Sequence, residues 1–426
     1  IGRQRMRKKQ IISILTASLL AMACGCSNID QPDTAEQTPT AAAETSLQTE
    51  NSAPELHFQT TADSKQAASG TTETSDGLAS QYLAKMTLEE KIYQMFMVTP
   101  EMLTGYGVVT EAGDSTKAAL AQYPVGGLIY FAQNLETQEQ TRTMLANCQA
   151  FAEESGIGLF LAVDEEGGTV ARVADHLGTT AFSDMSVYGA QGDPQQAFDI
   201  GKTIGTEIGA LGFNVDFAPV ADVNLCSGNE LGGRIFSSDP SVVAEMVASE
   251  VKGFQESGVM ATLKHFPGLG AEDGNAHYDT KIVIDRTLDQ LRQEEFVPFS
   301  SGIEAGVDFV MVSHQVVTGI GDDLPGDLSY QTVTELLKGE LGFQGIAITD
   351  SQAMNTISGV YGAGEAAVMS VQAGIDIVLM PEDLTQAFEA VRSAVESGEI
   401  SEERIDQSVR LILEKKEKLG LLTPLS

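Results

Sequence analysis

Tryptophan is missing from this 426-residue sequence, histidine occurs five times, cysteine four times, and 60 acidic residues face only 25 basic ones. The shortage of positive charge is the first constraint. The formal net charge is −35, and Arg3, Arg5, Arg7, Lys8 and Lys9 lie at the extreme N-terminus, so the remainder is more acidic still. Such a field repels phosphate backbones and anionic lipid, which argues against a nucleic-acid partner and against adhesion to a membrane through a basic surface. A soluble acidic surface around a site for a neutral or cationic substrate accounts for the charge. Cysteine is the second constraint. Only Cys148 and Cys226 lie in the body of the chain. They leave room for one disulfide on an exported protein but for no disulfide framework, and no Cys/His spacing forms a zinc site. Both are expected to behave as small buried hydrophobes. Phosphate-binding loops are missing too. No GxGxxG follows an apolar run and no GxxxxGK leads into Ser or Thr, which excludes the commonest dinucleotide and nucleoside triphosphate sites. The glycine-rich GVYGAGEAA around Tyr361 reads as a loop-to-helix turn.

What is present begins with an export signal. Five basic residues precede IISILTASLLAMA, a largely apolar run of thirteen, the length of a signal-peptide core and too short to span a bilayer. ACGCSN follows at once and resembles a bacterial lipoprotein signal, in which the cysteine after the cleavage site is lipidated. Gly25 favours Cys26 over Cys24, and a cleaved signal with a secreted product is the alternative. From Ser27 to Ala79 the chain is rich in Thr, Ala, Ser, Glu and Gln with few aromatics. Such a stretch cannot bury enough apolar surface to repay ordering and is expected to form a disordered tether. The expected organisation is a lipoprotein signal over 1–26, a tether over 27–79 and one catalytic domain over 80–426, anchored to the outer face of the bacterial cell membrane.

From Ser80 onward eight short apolar runs recur: QMFMV, GGLIYF, GLFLAVD, VDFAPVADV, VMATLKHF, DFVMVSH, GIAITD and IDIVLMP. Helix-like segments such as TRTMLANCQAFAEES, PQQAFDIGKTIGTEIGALG and SVVAEMVASEVKGFQESG lie between them. Continuous apolar strands alternating with amphipathic helices indicate a parallel sheet covered on its faces. The number of units predicts an α/β fold of the (β/α)8 TIM-barrel type rather than an open doubly wound sheet. The strand runs end in Asp164, Asp222, His265, His314 and Asp350. In a barrel these five converge on the face where catalysis takes place.

Several of these residues carry chemistry. A carboxylate at Asp350 can cap a helix, or at that face act as nucleophile or base. Lys264 and His265 end a strand just before Pro267 and Gly268 force a turn; a buried Lys there can be the structural partner of a carboxylate, while a Lys-His pair in a mouth lined by aspartates suits binding of sugar hydroxyls, the reading favoured here. His277 lies in the loop beyond, with Gly274 and Asn275, where a histidine taken alone is usually idle. Asp164, Glu165 and Glu166 precede Gly167 and Gly168, glycines that let backbone approach a ligand. No partner spacing supports Ca²⁺ or Mg²⁺. One of the three acids is expected to contact a substrate hydroxyl and the others to be solvated or structural.

The stretches LEEKIYQMFMV, VDEEGG, LGFNVDFAPVADVN, GGRIFSSDP, KHFPGLG, FQGIAITD, AGIDIVLMP and RIDQSVRLILEKKEKLG occur in this order. Together they resemble the catalytic domain of family 3 glycoside hydrolases, most of all its β-N-acetylglucosaminidase (β-N-acetylhexosaminidase) branch, over nearly everything from Ser80 onward. The resemblance implies a TIM barrel and a retaining double displacement that needs no cofactor and no metal. Asp350 matches the nucleophile, and Asp164, Arg172, Arg234, Lys264 and His265 match sugar-binding positions. In that branch the acid/base is a histidine on a loop after KHFPG, and His277 stands at its position. This departs from the usual carboxylate pair. The β-glucosidase branch supplies a carboxylate from a second domain, and none is expected beyond RIDQSVRLILEKKEKLG.

Two positions depart from the family pattern. Where the family has Asp two residues before the histidine, this chain has Asn275, which can accept the same hydrogen bond but supplies no charge. Asp273, Glu272 and Asp279 are the candidates to supply it instead. Thr169 stands where many relatives have Arg, removing one contact for an anionic substituent. The implied function is an exo-glycosidase, and thus an enzyme, that releases terminal β-linked N-acetylglucosamine from peptidoglycan fragments or related glycans. Its partners are a glycan, no nucleic acid, and a membrane through a lipid anchor alone, with the chain a monomer. A family 3 enzyme for another glycone, such as glucose, and a non-catalytic glycan-binding lipoprotein are the alternatives.

Overall fold

The computed structural model describes residues 77–275 and 277–425. Cys24, Cys26, the signal-like segment and nearly all of the tether lie outside the described residues. Each of the eight apolar runs supplies a strand: β1 (Phe96–Val98), β2 (Gly127–Ile129), β3 (Phe160–Val163), β4 (Val215–Asp216), β5 (Thr262–Phe266), β6 (Phe309–Val312), β7 (Ile346–Thr349) and β8 (Val378–Leu379). One parallel ladder runs β8-β1-β2-β3-β4 and another β5-β6-β7. Parallel bridges between Val215 and Met260 and between Val220 and Lys264 join β4 to the β5 segment, and one between Ile348 and Ile377 joins β7 to the β8 segment. The strands therefore close in chain order into a parallel eight-stranded (β/α)8 barrel. Strand β4 is short because Pro219, in the middle of its run, has no N–H for a ladder.

Helices cover the outside: α1 (Asp114–Gln122), α2 (Gln138–Glu153), α3 (Pro194–Leu211), α4 (Pro240–Ser257), α5 (Phe296–Glu304), α6 (Gln331–Glu340), α7 (Ala363–Ala373), α8 (Leu384–Glu396) and a final α9 (Glu402–Lys418). Their starts are written in the sequence. Thr137, Asp193, Asp239, Asp383 and Ser401 each accept a hydrogen bond from a first-turn amide, and α3 and α4 open with Pro, where a missing N–H costs nothing. Helices α3 and α4 touch backbone to backbone. A Cβ on Gly253 would stand 2.2 Å from the Phe198 carbonyl oxygen, so that position admits no side chain. No described helix is long and apolar enough to cross a membrane.

The core is the barrel wall. Leu128, Phe160, Leu161, Val215, Leu263, Phe309 and Ile346 are fully buried, and Phe160 meets Phe309 edge to face across it at 5.4 Å between centroids. Cys148 is buried and takes the Tyr130 hydroxyl hydrogen bond, Cys226 is half-buried, and the two are not joined. Asp164, Asp222, His265, His314 and Asp350 all stand at the C-terminal ends of strands β3 to β7, on one face.

Candidate active site

A cavity of about 470 Å³ opens on that face and is lined by Asp350, His277, Asp164, Arg172, Arg234, Lys264 and His265. Every expected site residue except Asn275 is brought together there. Asp350, which follows β7 directly, is 9% exposed; its backbone N–H donates to the Val312 carbonyl and one carboxylate oxygen accepts from Ser351 N–H at 2.7 Å. The strand tip thus fixes the carboxylate at the cavity wall.

Beside it lies an unbroken chain of opposite charges. Arg172 donates from Nε and Nη2 to Asp164 Oδ2 at 3.3 and 3.2 Å, and Lys264 Nζ bridges Asp164 Oδ1 at 2.9 Å and Glu166 Oε1 at 2.6 Å. Arg234 closes on both Glu166 oxygens at 2.7 and 2.8 Å. Three cations thus hold two anions. Burial alone would raise the Glu166 carboxyl, but Lys264 and Arg234 outweigh it and hold it at about 2. Burial likewise opposes ionisation of Asp164 and Lys264, and the pairing overrides it in both. Unpaired charges at this depth would be costly, whereas paired ones give a preorganised set of donors and acceptors. Arg172 is steadied further by lying over the Phe131 ring, 4.9 Å from its centroid.

The triple acid is resolved by alternation. Side chains along extended backbone point to opposite faces in turn. Asp164 and Glu166 therefore share the cavity face, while Glu165 points away and accepts from the Val173 and Ala174 amides at 2.6 and 3.0 Å. It caps the short helix Arg172–Leu177 and so sets where Arg172 begins. Burial pushes Glu165 up to about 7, although both amides pull it down. Of the two roles expected for the remaining acids, solvated or structural, the structure shows the second: both glutamates are buried and held by partners. Thr169 is exposed on the adjoining turn, its N–H on Asp184 Oδ1 at 3.2 Å, away from the cavity lining.

Two of the five strand-end residues sit one layer behind the cavity rather than in it. Asp222 accepts from His265 N–H at 3.0 Å and Leu269 N–H at 2.6 Å, and pairs with His265 Nδ1 at 2.8 Å. Only the second nitrogen of His265 is left for the cavity. His314 joins Asp327 through Nδ1 at 3.0 Å and the Ser351 carbonyl through Nε2 at 2.9 Å. Burial resists charging His314, but Asp327 prevails and pushes it up to about 9. Both of its nitrogens donate at neutral pH, bracing the residue that follows Asp350.

His277 is exposed at the cavity rim, and among the described residues nothing hydrogen-bonds its imidazole. The expected contact from Asn275 is corrected. Its carboxamide oxygen accepts from the His277 backbone N–H at 2.9 Å, shaping the turn and not the ring, because an Asn two residues upstream closes an Asx turn on that amide. Glu230, on the loop after β4, also lines the cavity. No group of three or more His, Cys, Asp or Glu among the described residues is placed to hold a metal ion.

A family model described as the glycosyl hydrolase family 3 N terminal domain matches residues 87–414. The chain belongs to glycoside hydrolase family 3. It is 33% identical over 327 residues to beta-hexosaminidase A of Pseudoalteromonas piscicida, a match covering 70% of this chain and 54% of that protein. The family 3 chain thus spans about half the length of this relative. It is 35% identical over 276 residues to a beta-hexosaminidase of Stenotrophomonas maltophilia, 63% of this chain and 80% of that one. Among solved structures, a family 3 β-N-acetylglucosaminidase from a Paenibacillus species superposes with a TM-score of 0.74 at 37% identity, over 80% of this chain and 65% of that one. A β-N-acetylhexosaminidase from Beutenbergia cavernae superposes at 0.68 and 29% identity, over 78% and 99% of the two chains.

Sequence reasoning missed Glu166 as a member of the charge chain and Glu230 altogether in this family 3 site. Alternation from Asp164 carried the signal for Glu166. Glu230 sits in irregular backbone, where no period points to it.

Proposed function

We propose that this chain is a retaining exo-glycosidase that removes terminal β-linked N-acetylglucosamine, from peptidoglycan fragments or related glycans. The observation that carries the reading is that Asp350 and His277 line one cavity together with a chain of paired charges, Arg172, Asp164, Lys264, Glu166 and Arg234. Asp350 attacks the anomeric carbon, and the bond to the leaving oxygen breaks as His277 gives that oxygen its proton. The imidazole then takes a proton from water, which displaces Asp350 and releases the sugar with its configuration retained. Arg172, Arg234 and Lys264 supply donors, and Asp164 and His265 further polar contacts, for the sugar hydroxyls. The choice of glycone follows the relatives, which are named for hexosaminides and N-acetylglucosaminides. The N-terminal signal adds a place to the proposal: the outer face of the membrane, through lipid on Cys26 or Cys24.

The test is covalent trapping. A fluorinated N-acetylglucosaminide that forms the glycosyl-enzyme quickly and hydrolyses slowly should add its mass to the peptide containing Asp350. Sugar binding without turnover or adduct would overturn the reading in favour of a binding protein. A chromogenic panel that preferred glucosides would overturn the glycone.

A further inference from the structure

The loop after β4 and the loop after β5 are laced together. Leu225 and Cys226 both donate backbone N–H to the Gly270 carbonyl, at 2.9 and 3.0 Å. Asn229, buried, donates its carboxamide to the Leu269 and Glu272 carbonyls, both at 2.6 Å, and accepts from Leu231 N–H at 2.9 Å. Glu230 is held between Asn229 and the buried Leu231, so the lacing that fixes the His277 loop also delivers this carboxylate to the same cavity.

The charged groups around His277 are mostly committed elsewhere. On its own loop, Glu272 accepts from Asp273 N–H at 2.9 Å and Asp279 from Asn275 N–H at 2.7 Å, while the Asp273 side chain lies against Gly228. From the neighbouring elements, Arg234 is closed on Glu166 and His265 on Asp222. Asp350 is the proposed nucleophile. The carboxylates of Glu230 and Asp273 have no hydrogen-bond partner among the described residues, and of these two only Glu230 lines the cavity with His277. Burial raises its pKa, and the nearby His265, His277 and Arg234 pull the other way. That coupling is reciprocal: a histidine that favours a carboxylate's charge has its own charge favoured in return.

We propose that Glu230 is the positioning residue for His277, supplying from the β4 loop the negative charge that Asn275 lacks. Its carboxylate lines the same cavity as the imidazole, and a negative charge there favours the protonated ring. The consequence for rate rests on His277 being the acid/base; the coupling itself needs no substrate.

The test is a histidine NMR titration of the full chain, with His277→Ala assigning the resonance. Glu230→Gln should lower the His277 pKa by about half a unit, the size expected of one charge across a wet rim. Glu230→Asp should lower it less, and Asn275→Asp added to Glu230→Gln should restore it. The alkaline limb of kcat should move to lower pH in Glu230→Gln while KM stays near its starting value. An unchanged His277 pKa in Glu230→Gln, or a larger shift in Asp279→Asn or Asp273→Asn, overturns the proposal. Full activity in His277→Ala would instead remove the acid/base reading and leave the titration result standing.

Discussion

Glu165 and Glu166 are consecutive and equally buried, yet they are held by opposite kinds of partner: two backbone amides for the first, a lysine and an arginine for the second. One peptide of extended backbone separates a carboxyl raised to about 7 from one lowered to about 2. Their contributions to stability therefore run in opposite directions with pH.

Glu166 is depressed in the folded state, so its contribution is complete above the unfolded carboxyl range and is lost as pH falls from about 4.5 towards 2. Glu166→Gln should be less stable than the parent at neutral pH. The gap should close by about 3 kcal/mol across that window in denaturant titrations at stepped pH. A gap independent of pH would show that Lys264 and Arg234 do not hold the carboxylate.

Glu165 is raised, so its contribution is complete below about 4.5 and is lost as pH rises through about 7. Glu165→Gln, which mimics the protonated acid, should match the parent at pH 4 and exceed its stability above pH 7 by about 3 kcal/mol. Equal stabilities at pH 8 would contradict the shift.

His277→Ala should cost about 10²–10⁴-fold in kcat for substrates with alkyl leaving groups. Aryl glycosides with acidic phenols leave without a proton and should lose far less. An equal loss on both classes would place His277 outside proton transfer.

Asp222 accepts three hydrogen bonds from β5 and the turn after it. Asp222→Ala leaves two buried backbone amides and the His265 ring unpartnered, and should destabilise the fold by about 3 kcal/mol or more. It should also raise KM, since His265 loses its orientation. A variant as stable as the parent would mean that water replaces the carboxylate.

Gly270→Ala puts a Cβ 1.8 Å from the Val223 carbonyl oxygen. The β5 loop must lift off the β4 loop, and a displacement of about 1 Å of His277 should lower kcat about 10²-fold while circular dichroism reports an intact barrel. Unchanged kcat would show that the lacing does not position the loop.

The barrel was legible because its strands are buried on both faces and so read as unbroken apolar runs, and its helices announce themselves through Thr137, Asp193, Asp239, Asp383 and Ser401. Asp350 and His265 followed from their places at strand ends. His277 followed only from the resemblance, since an exposed loop histidine carries no period. What was hidden is of one kind. Whether Asp222 and His314 reach the cavity or brace it depends on depth below the barrel rim, and whether Asn275 bonds a ring or an amide depends on turn geometry. The pairing of Glu166 with Arg234 joins residues 68 apart in sequence. None of these is a property of a local sequence window.

Asp350 and His277 are anchored by different means, one to a strand tip and the other to two loops fastened at Asn229 and Gly270. The proposed nucleophile thus depends on the barrel itself, whereas the proposed proton donor depends on the loops laid over it. Substitutions in those loops therefore reach the proposed proton donor while leaving the footing of the proposed nucleophile untouched.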